Sequence, residues 1–155
     1  MELHRAVASR LASSGQRYTS TRRRLVDILA KAGMPLALPD IVRRRRGLPQ
    51  SSAYRNLAEL ETAGLVRRVV SEDGLGRYEL AEELTGHHHH LMCSRCGRVQ
   101  DLHLPATLER QLDRTLDTLA RESGFATVAH RLDQIGLCRD CAGRVTRSSR
   151  PGPLS

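Results

Sequence analysis

The four cysteines of this chain form two C-x-x-C pairs, Cys93-Ser-Arg-Cys96 and Cys138-Arg-Asp-Cys141, and no other feature restricts the fold as strongly. A C-x-x-C turn lets two thiolates face one ion, and two such turns complete the tetrahedron of a closed structural zinc site. A thioredoxin-like redox pair comes singly on a strand-to-helix turn, whereas Gly97 after Cys96 suits a metal-binding knuckle. The spacing predicts Zn(2+) on Cys93, Cys96, Cys138 and Cys141, holding the C-terminal half together. His87-His88-His89-His90 stands just before the first pair. Soft thiolates and imidazoles therefore share one short stretch.

A chain of 155 residues allows one compact domain or two small ones. Phe125 is the only Phe and Trp is absent, so the core is built from Leu, Val, Ala and Ile. A core that thin usually needs a staple, which zinc would supply. No apolar run approaches membrane-spanning length, and the first residues lack a signal peptide's apolar stretch. The expectation is a cytoplasmic protein with reduced thiols and no membrane partner. The net charge of +8 is uneven: residues 1 to 80 carry 15 basic against 8 acidic side chains, and residues 81 to 141 carry 7 against 9. The N-terminal half is the one suited to a polyanion.

Leu3, Val7 and Leu11 recur at helical spacing, and a second helix from Thr19–Thr21 to Gly33 carries Leu25, Ile28, Leu29 and Ala32 on one face. Pro39 opens a third helix, with Ile41 and Val42 inward and Arg43 to Arg46 outward. Ser51 or Ser52 caps a fourth, which buries Ala53, Leu57 and Leu60 and ends at Gly64. Residues 65–70 and 77–80 flank a turn containing Asp73-Gly74, a hairpin signal. Helices followed by a two-stranded hairpin make a winged helix over residues 1–81. Residues 82–86 form a hinge. Beyond it lie strands at 87–93 and 99–104, a helix from Pro105 to about Glu122, and a third strand from Phe125 to Ile135, within a domain spanning 87–142. A small sheet with one long helix cannot bury both faces unaided, so this domain is expected to form a homodimer. The tail, 143–155, is rich in Arg, Ser, Pro and Gly and is expected to be disordered. The fold class is α+β: a winged helix-turn-helix domain plus a small α/β dimerisation domain with structural zinc.

In a winged helix the recognition helix enters the major groove by its N-terminal residues. Here Ser51, Ser52 and Arg55 offer donors to phosphate or base edges, and Tyr54 offers a ring to thymine methyls. The competing reading packs Tyr54 on the wing and pairs Arg55 with Glu59.

At these residues the chain resembles the ferric-uptake-regulator (Fur) family of repressors. Arg17-Tyr18-Thr19-Ser20-Thr21-Arg22 resembles the family's R-x-T-x-x-R opening, and Ser52 to Leu57 its T-V-Y-R-x-L recognition helix. Ala63-Gly64-Leu65-Val66 matches the A-G-L-V that follows. His87 to Cys96 is similar to H-H-x-H-L-x-C-x-x-C, and Gly136 to Cys141 to the closing G-x-C-x-x-C. The ordered matches run from about residue 15 to residue 141. The resemblance implies that Arg17 reaches toward the minor groove, that Tyr54 and Arg55 read or position the major groove, and that a dimer binds palindromic double-stranded DNA.

Side chains alternate faces along an extended segment, so His88 and His90 project together while His87 and His89 point the other way. Glu79 at the end of the wing and Asp101 beyond the knuckle complete the first set, a mixture suited to Fe(2+), Mn(2+), Zn(2+) or Ni(2+). By the resemblance, Glu79, His88, His90 and Asp101 occupy positions where family sensors carry ligands, and their span of the hinge makes this the regulatory site. His130 and an acid from the long helix join His87 and His89. Family spacing favours Glu109 slightly over Asp113. Many iron-type members place a histidine before the third helix where this chain has Met34-Pro35-Leu36, and zinc-sensing relatives tend to carry a cysteine where it has Ala81. The metal is therefore left open, and His103 beside Asp101 is an extra histidine.

The expected function is a metal-dependent repressor of metal-homeostasis genes sensing an ion such as Fe(2+) or Zn(2+). The alternatives are a peroxide- or nickel/manganese-responsive regulator of the same family and, more remotely, a metal buffer. With no nucleophile and no phosphate-binding loop, the sequence reads as a non-enzyme with no catalytic residues.

Overall fold

The computed structural model describes residues 2–44 and 47–148, with side chains described through residue 144. Four helices and a small sheet form the first half: α1 (Glu2–Ser13), α2 (Ser20–Ala32), β1 (Leu36–Ala37), α3 (Leu38–Arg43), α4 (Gln50–Thr62), β2 (Val66–Val70) and β3 (Gly76–Leu80). Thr19 caps α2, its hydroxyl accepting the Arg22 N–H at 3.3 Å. Gly33 ends α2 at a φ of 57°, which a residue without Cβ adopts freely. Val7, Leu11, Leu25, Val26, Ile41, Ala53, Leu57 and Leu60 are fully buried in one apolar core.

The sheet order is β1-β3-β2, all antiparallel. β3 alternates strictly: Tyr78 and Leu80 enter the helical core, and Arg77 and Glu79 are buried on the opposite side. Val69 of β2 packs there against Met92 and Val99 of the second half. The back of the wing is therefore a contact surface. At the wing tip, the Asp73 carboxylate lies where a Cβ on Gly97 would stand.

The second half contains α5 (Glu82–Thr85), β4 (His89–Cys93), β5 (Val99–Leu102), α6 (Ala106–Glu122), β6 (Asp133–Gly136) and α7 (Arg139–Ser148). β4 lies centrally, antiparallel to β5 and parallel to β6. No residue of α6 is buried, and Leu119, Phe125, Val128 and Ile135 are exposed. An apolar face of this kind on a small sheet and its helix calls for a covering surface.

Four expectations change. The third strand is confined to 133–136, because Thr127 bonds Asp117 and His130 is drawn to Glu109 and Asp113 on α6, so polar contacts override strand propensity in 125–132. The N-cap of α4 is Pro49, which leaves Ser51 and Ser52 inside the first turn. α5 occupies the hinge segment. The segment from Gly143 to Ser148, expected to be disordered, continues α7: the Cys138 carbonyl accepts the N–H groups of Cys141 and Ala142, so the second knuckle itself starts a helix. Residues 149–155 and Arg45–Arg46 lie outside the described residues. The two-residue β1 is too short to leave a pattern in the sequence.

Candidate metal centres and recognition helix

Three groups of metal-ligating side chains form, each with its donor atoms within 4.8 Å of one another: Cys93, Cys96, Cys138 and Cys141; Glu79, His88, His90 and Asp101; His87, His89, Glu109 and His130. The cysteines are unbridged, and the Cys96 and Cys138 sulfurs stand 3.7 Å apart. A tetrahedron of Zn–S bonds of about 2.3 Å has edges of about 3.8 Å, so this pair is spaced as two thiolates on one ion would be. The Cys138 N–H points at the Cys93 sulfur at 3.4 Å. This and neighbouring backbone N–H groups lower the Cys93 thiol to about 6, whereas burial and the adjacent thiols push Cys141 up to about 12.

The second group joins the two halves. Glu79 closes the wing, His88 and His90 enter through β4, and the β4–β5 register sets His90 opposite Asp101. One oxygen of Glu79, Oε2, faces Nε2 of His88 at 3.3 Å and Nε2 of His90 at 3.1 Å. The outer nitrogens are held: His88 Nδ1 lies 3.0 Å from the Gly86 carbonyl and His90 Nδ1 3.2 Å from Asp133. Outer acceptors of this kind fix the tautomer that leaves Nε2 free for a metal. Burial opposes ionisation of Glu79, yet hydrogen bonds from His90 and Arg67 outweigh it and hold the carboxyl at about 2. Burial raises Asp101, with the Glu79 charge adding to the effect, and its Oδ1 is buried with no hydrogen-bond partner. A buried carboxylate oxygen of this kind fits the donor set of a cation.

In the third group Glu109 is the acid that converges. Its Oε1 lies 3.0 Å from His130 Nε2 and 3.1 Å from His87 Nε2, and its Oε2 lies 3.1 Å from His89 Nε2. Glu109 Oε1 and His130 Nε2 are both buried, close together, and in no hydrogen-bond geometry. Both belong to a group whose ligand atoms lie close enough together to hold one ion. Asp113 lies 2.9 Å from the other nitrogen of His130 and so sits behind this ligand set. His103 is exposed, its ring 6.1 Å from that of His88, outside the group of four.

On α4, Tyr54 is 53% exposed and Ser51 and Arg55 are exposed, while Ser52 is half-buried. Arg17 is exposed just before α2. The reading that paired Arg55 with Glu59 does not hold among the described residues: Glu59 pairs with Arg22. Arg22 also bonds Asn56 at 3.3 Å and the Arg17 carbonyl at 2.7 Å, so one guanidinium fixes both the exposed arm and α4. Sequence reasoning placed Arg22 in the opening motif without giving it a role, and passed over Arg67, Glu82 and Asp133. For Arg67 a signal existed, since hairpin register places it opposite Glu79.

The Ferric uptake regulator family profile matches residues 13–135. The chain is 32% identical over 144 residues to the ferric uptake regulation protein of Neisseria gonorrhoeae, covering 90% of this chain and 95% of that one. It is 28% identical over 136 residues to the peroxide operon regulator of Bacillus subtilis, covering 85% and 88%. The solved ferric uptake regulator from Pseudomonas aeruginosa with manganese matches with a TM-score of 0.63 and 26% identity, over 84% of this chain and 96% of that one. The chain belongs to the ferric uptake regulator family. It is accordingly a metal-binding, metal-sensing regulator and not an enzyme. No described helix is long and apolar enough to cross a membrane.

Proposed function

We propose that this chain is a homodimeric repressor that binds a palindromic DNA operator when a divalent cation occupies Glu79, His88, His90 and Asp101. The observation that carries the reading is Glu79 itself: it belongs to the wing strand, yet its carboxylate faces two histidines of the other half. A bound cation would supply the positive charge that ties these donors together. The chain's own residues do the rest. Glu79 holds β3, and with it the winged helix, against β4, limiting the orientations the two recognition helices of a dimer adopt. Arg17, Ser51, Ser52, Tyr54 and Arg55 meet the DNA from the exposed arm and the start of α4. The apolar face around Leu119, Phe125, Val128 and Ile135 is the dimer surface.

Zn(2+) on the four cysteines is the structural ion, supported by the sulfur spacing. The set on Glu79, His88, His90 and Asp101 suits Fe(2+) or Zn(2+), with Mn(2+) or Ni(2+) also compatible. The group of His87, His89, Glu109 and His130 is a second metal site within one half. Likeness to the peroxide operon regulator supports a second reading, in which the same sensor answers to peroxide.

The test is binding to an operator-like palindrome after chelation, then with Fe(2+), Mn(2+), Ni(2+) or Zn(2+) restored singly at buffered free concentrations. Binding should return with one or two of the ions and stay absent in His88→Ala and His90→Ala, while His87→Ala retains most of the response. Metal-independent binding, or an unchanged response in His90→Ala, sinks the proposal. Loss of binding on brief peroxide exposure of the Fe(2+) form alone selects the second reading.

A further inference from the structure

Arg67 and Glu82 belong to none of the three ligand groups, yet they join two of them. The hairpin register sets Arg67 directly opposite Glu79, so the guanidinium reaches that carboxylate from its own cross-strand position. Nε and NH2 of Arg67 lie 2.8 and 2.6 Å from Glu79 Oε1, while Oε2 is left to His88 and His90. The remaining nitrogen, NH1, lies 2.6 Å from Glu82 Oε1. Glu82 Oε2 lies 2.8 Å from His87 Nδ1, and His87 Nε2 lies 3.1 Å from Glu109 Oε1. The contacts run unbroken from Glu79 through Arg67, Glu82 and His87 to Glu109.

Each member has divided its polar atoms between two neighbours, which makes the chain directional. The guanidinium is a rigid planar fork, so holding NH1 on Glu82 fixes where Nε and NH2 meet Glu79. His87 can donate to Glu82 only as the tautomer with its proton on Nδ1, and that tautomer leaves Nε2 as a ligand. With the proton on Nε2 instead, a lone pair on Nδ1 would face the Glu82 carboxylate and repel it. The site on Glu109 and the site on Glu79 thus favour the same arrangement of the residues between them.

We infer that Arg67 and Glu82 are positioning residues shared by the two centres, through which a cation at the His87–Glu109 group raises the affinity of the Glu79–His90 group. The inference rests on the metal-binding reading of both groups given above. With a cation on Nε2, His87 would keep its proton on Nδ1, from which it donates to Glu82. Glu82 holds the fork of Arg67, and the fork keeps Glu79 Oε2 aimed between His88 and His90. Occupancy of one centre then preorganises the other with no ligand in common.

The experiment uses the full chain with zinc on its cysteines and Co(2+) as the probe, titrated against a competing chelator. His130→Ala disables one group, and the ratio of Co(2+) affinities at the other group, with and without this change, reads the coupling. That ratio should be about 5-fold or more in the unaltered chain. In Glu82→Gln, compared with Glu82→Gln/His130→Ala, it should fall below about twofold, as in a double-mutant cycle whose link is cut. Arg67→Gln is the second variant, which should uncouple the sites while leaving every ligand in place. Nitrogen chemical shifts of His87 in the metal-free dimer give a readout independent of uptake: one tautomer in the unaltered chain, a mixture in Glu82→Gln. Coupling that survives both Glu82→Gln and Arg67→Gln overturns the inference, as does its absence in the unaltered chain when both groups take up Co(2+). If neither group takes up Co(2+), the metal-binding reading itself fails, and the inference falls with it.

Discussion

The two halves of this molecule are stabilised by different means. Leu25, Val26, Ile41, Leu57 and Leu60 are all fully buried in the first half, where helices and hairpin close over one apolar interior. The second half has no such interior among the described residues. Met92 and Val99 pack with Val69 of the wing, α6 buries nothing, and the buried side chains of β4 include three histidines in a row, His88, His89 and His90, if the residue just before the strand is counted. Apolar burial stabilises without regard to direction or ions, whereas clustered imidazoles, carboxylates and thiolates repel or lose solvation unless a cation satisfies them. One half is therefore held by apolar burial, and the other by polar clusters whose chemistry suits bound cations.

The contrast breaks most visibly at the cysteines. Cys138→Ser opens the proposed zinc tetrahedron, whose binding free energy in small zinc domains is on the order of 10 kcal/mol. It should release one zinc per chain and abolish the dimer while the helical content of the first half persists, measured by metal content, sedimentation and circular dichroism. A dimer with full zinc content would refute the assignment. Leu57→Ala applies the complementary change. A fully buried leucine truncated in a closed core costs about 2–5 kcal/mol, so thermal or denaturant unfolding of the first half should shift strongly with zinc content unaltered. A shift of less than about 1 kcal/mol would mean that the apolar core is not what holds this half.

The smallest effect lies where the halves touch. Burial would raise the Asp73 carboxyl, but hydrogen bonds from Ser71 and Arg77 and the Leu75 N–H outweigh it and lower the group to about 2. A depressed carboxyl contributes stability that is present above its ordinary value near 3.8 and is lost as pH falls toward about 2. Discounted for solvent screening, the contribution is about 1 kcal/mol. Asp73→Asn should therefore lower stability at pH 6 and converge with the unaltered chain only as pH falls through about 2, followed by denaturant unfolding across that range. A difference that stays constant with pH would assign the loss to packing on Gly97 instead.

The first half was legible because its information is periodic. Leu3, Val7 and Leu11 mark a helix whose apolar face enters the core, and Asp73-Gly74 marks the hairpin turn. The histidine run was legible for the same reason, since alternation sends His88 and His90 to one group and His87 and His89 to another. What was not legible depends on distance in space. Whether Glu109 or Asp113 faces His87 is one helical turn in α6, below the resolution of counting from either side. The residues 125–132 read as strand because their composition is apolar, yet they follow His130 and Thr127 to α6. Glu82 had no sequence signal, because its two partners lie 15 residues back and 5 residues ahead in elements whose relative placement only the fold sets.

The four-cysteine knuckle also orders events in time. Cys93 and Cys96 are local neighbours, whereas Cys138 follows Cys96 by 42 residues. Closing a loop of that size costs on the order of 4 kcal/mol in chain entropy, so an ion captured early by the first pair would wait for the strands and α6 to bring the second. During that interval two coordination positions would be open, and Cys93 would lack the Cys138 N–H that helps lower its thiol to about 6 in the closed cluster, so the sulfurs of the first pair stay accessible. The newly made chain is thus most exposed to oxidation before the second pair arrives, and oxidant present during refolding should trap a Cys93–Cys96 species that the mature, closed cluster no longer forms.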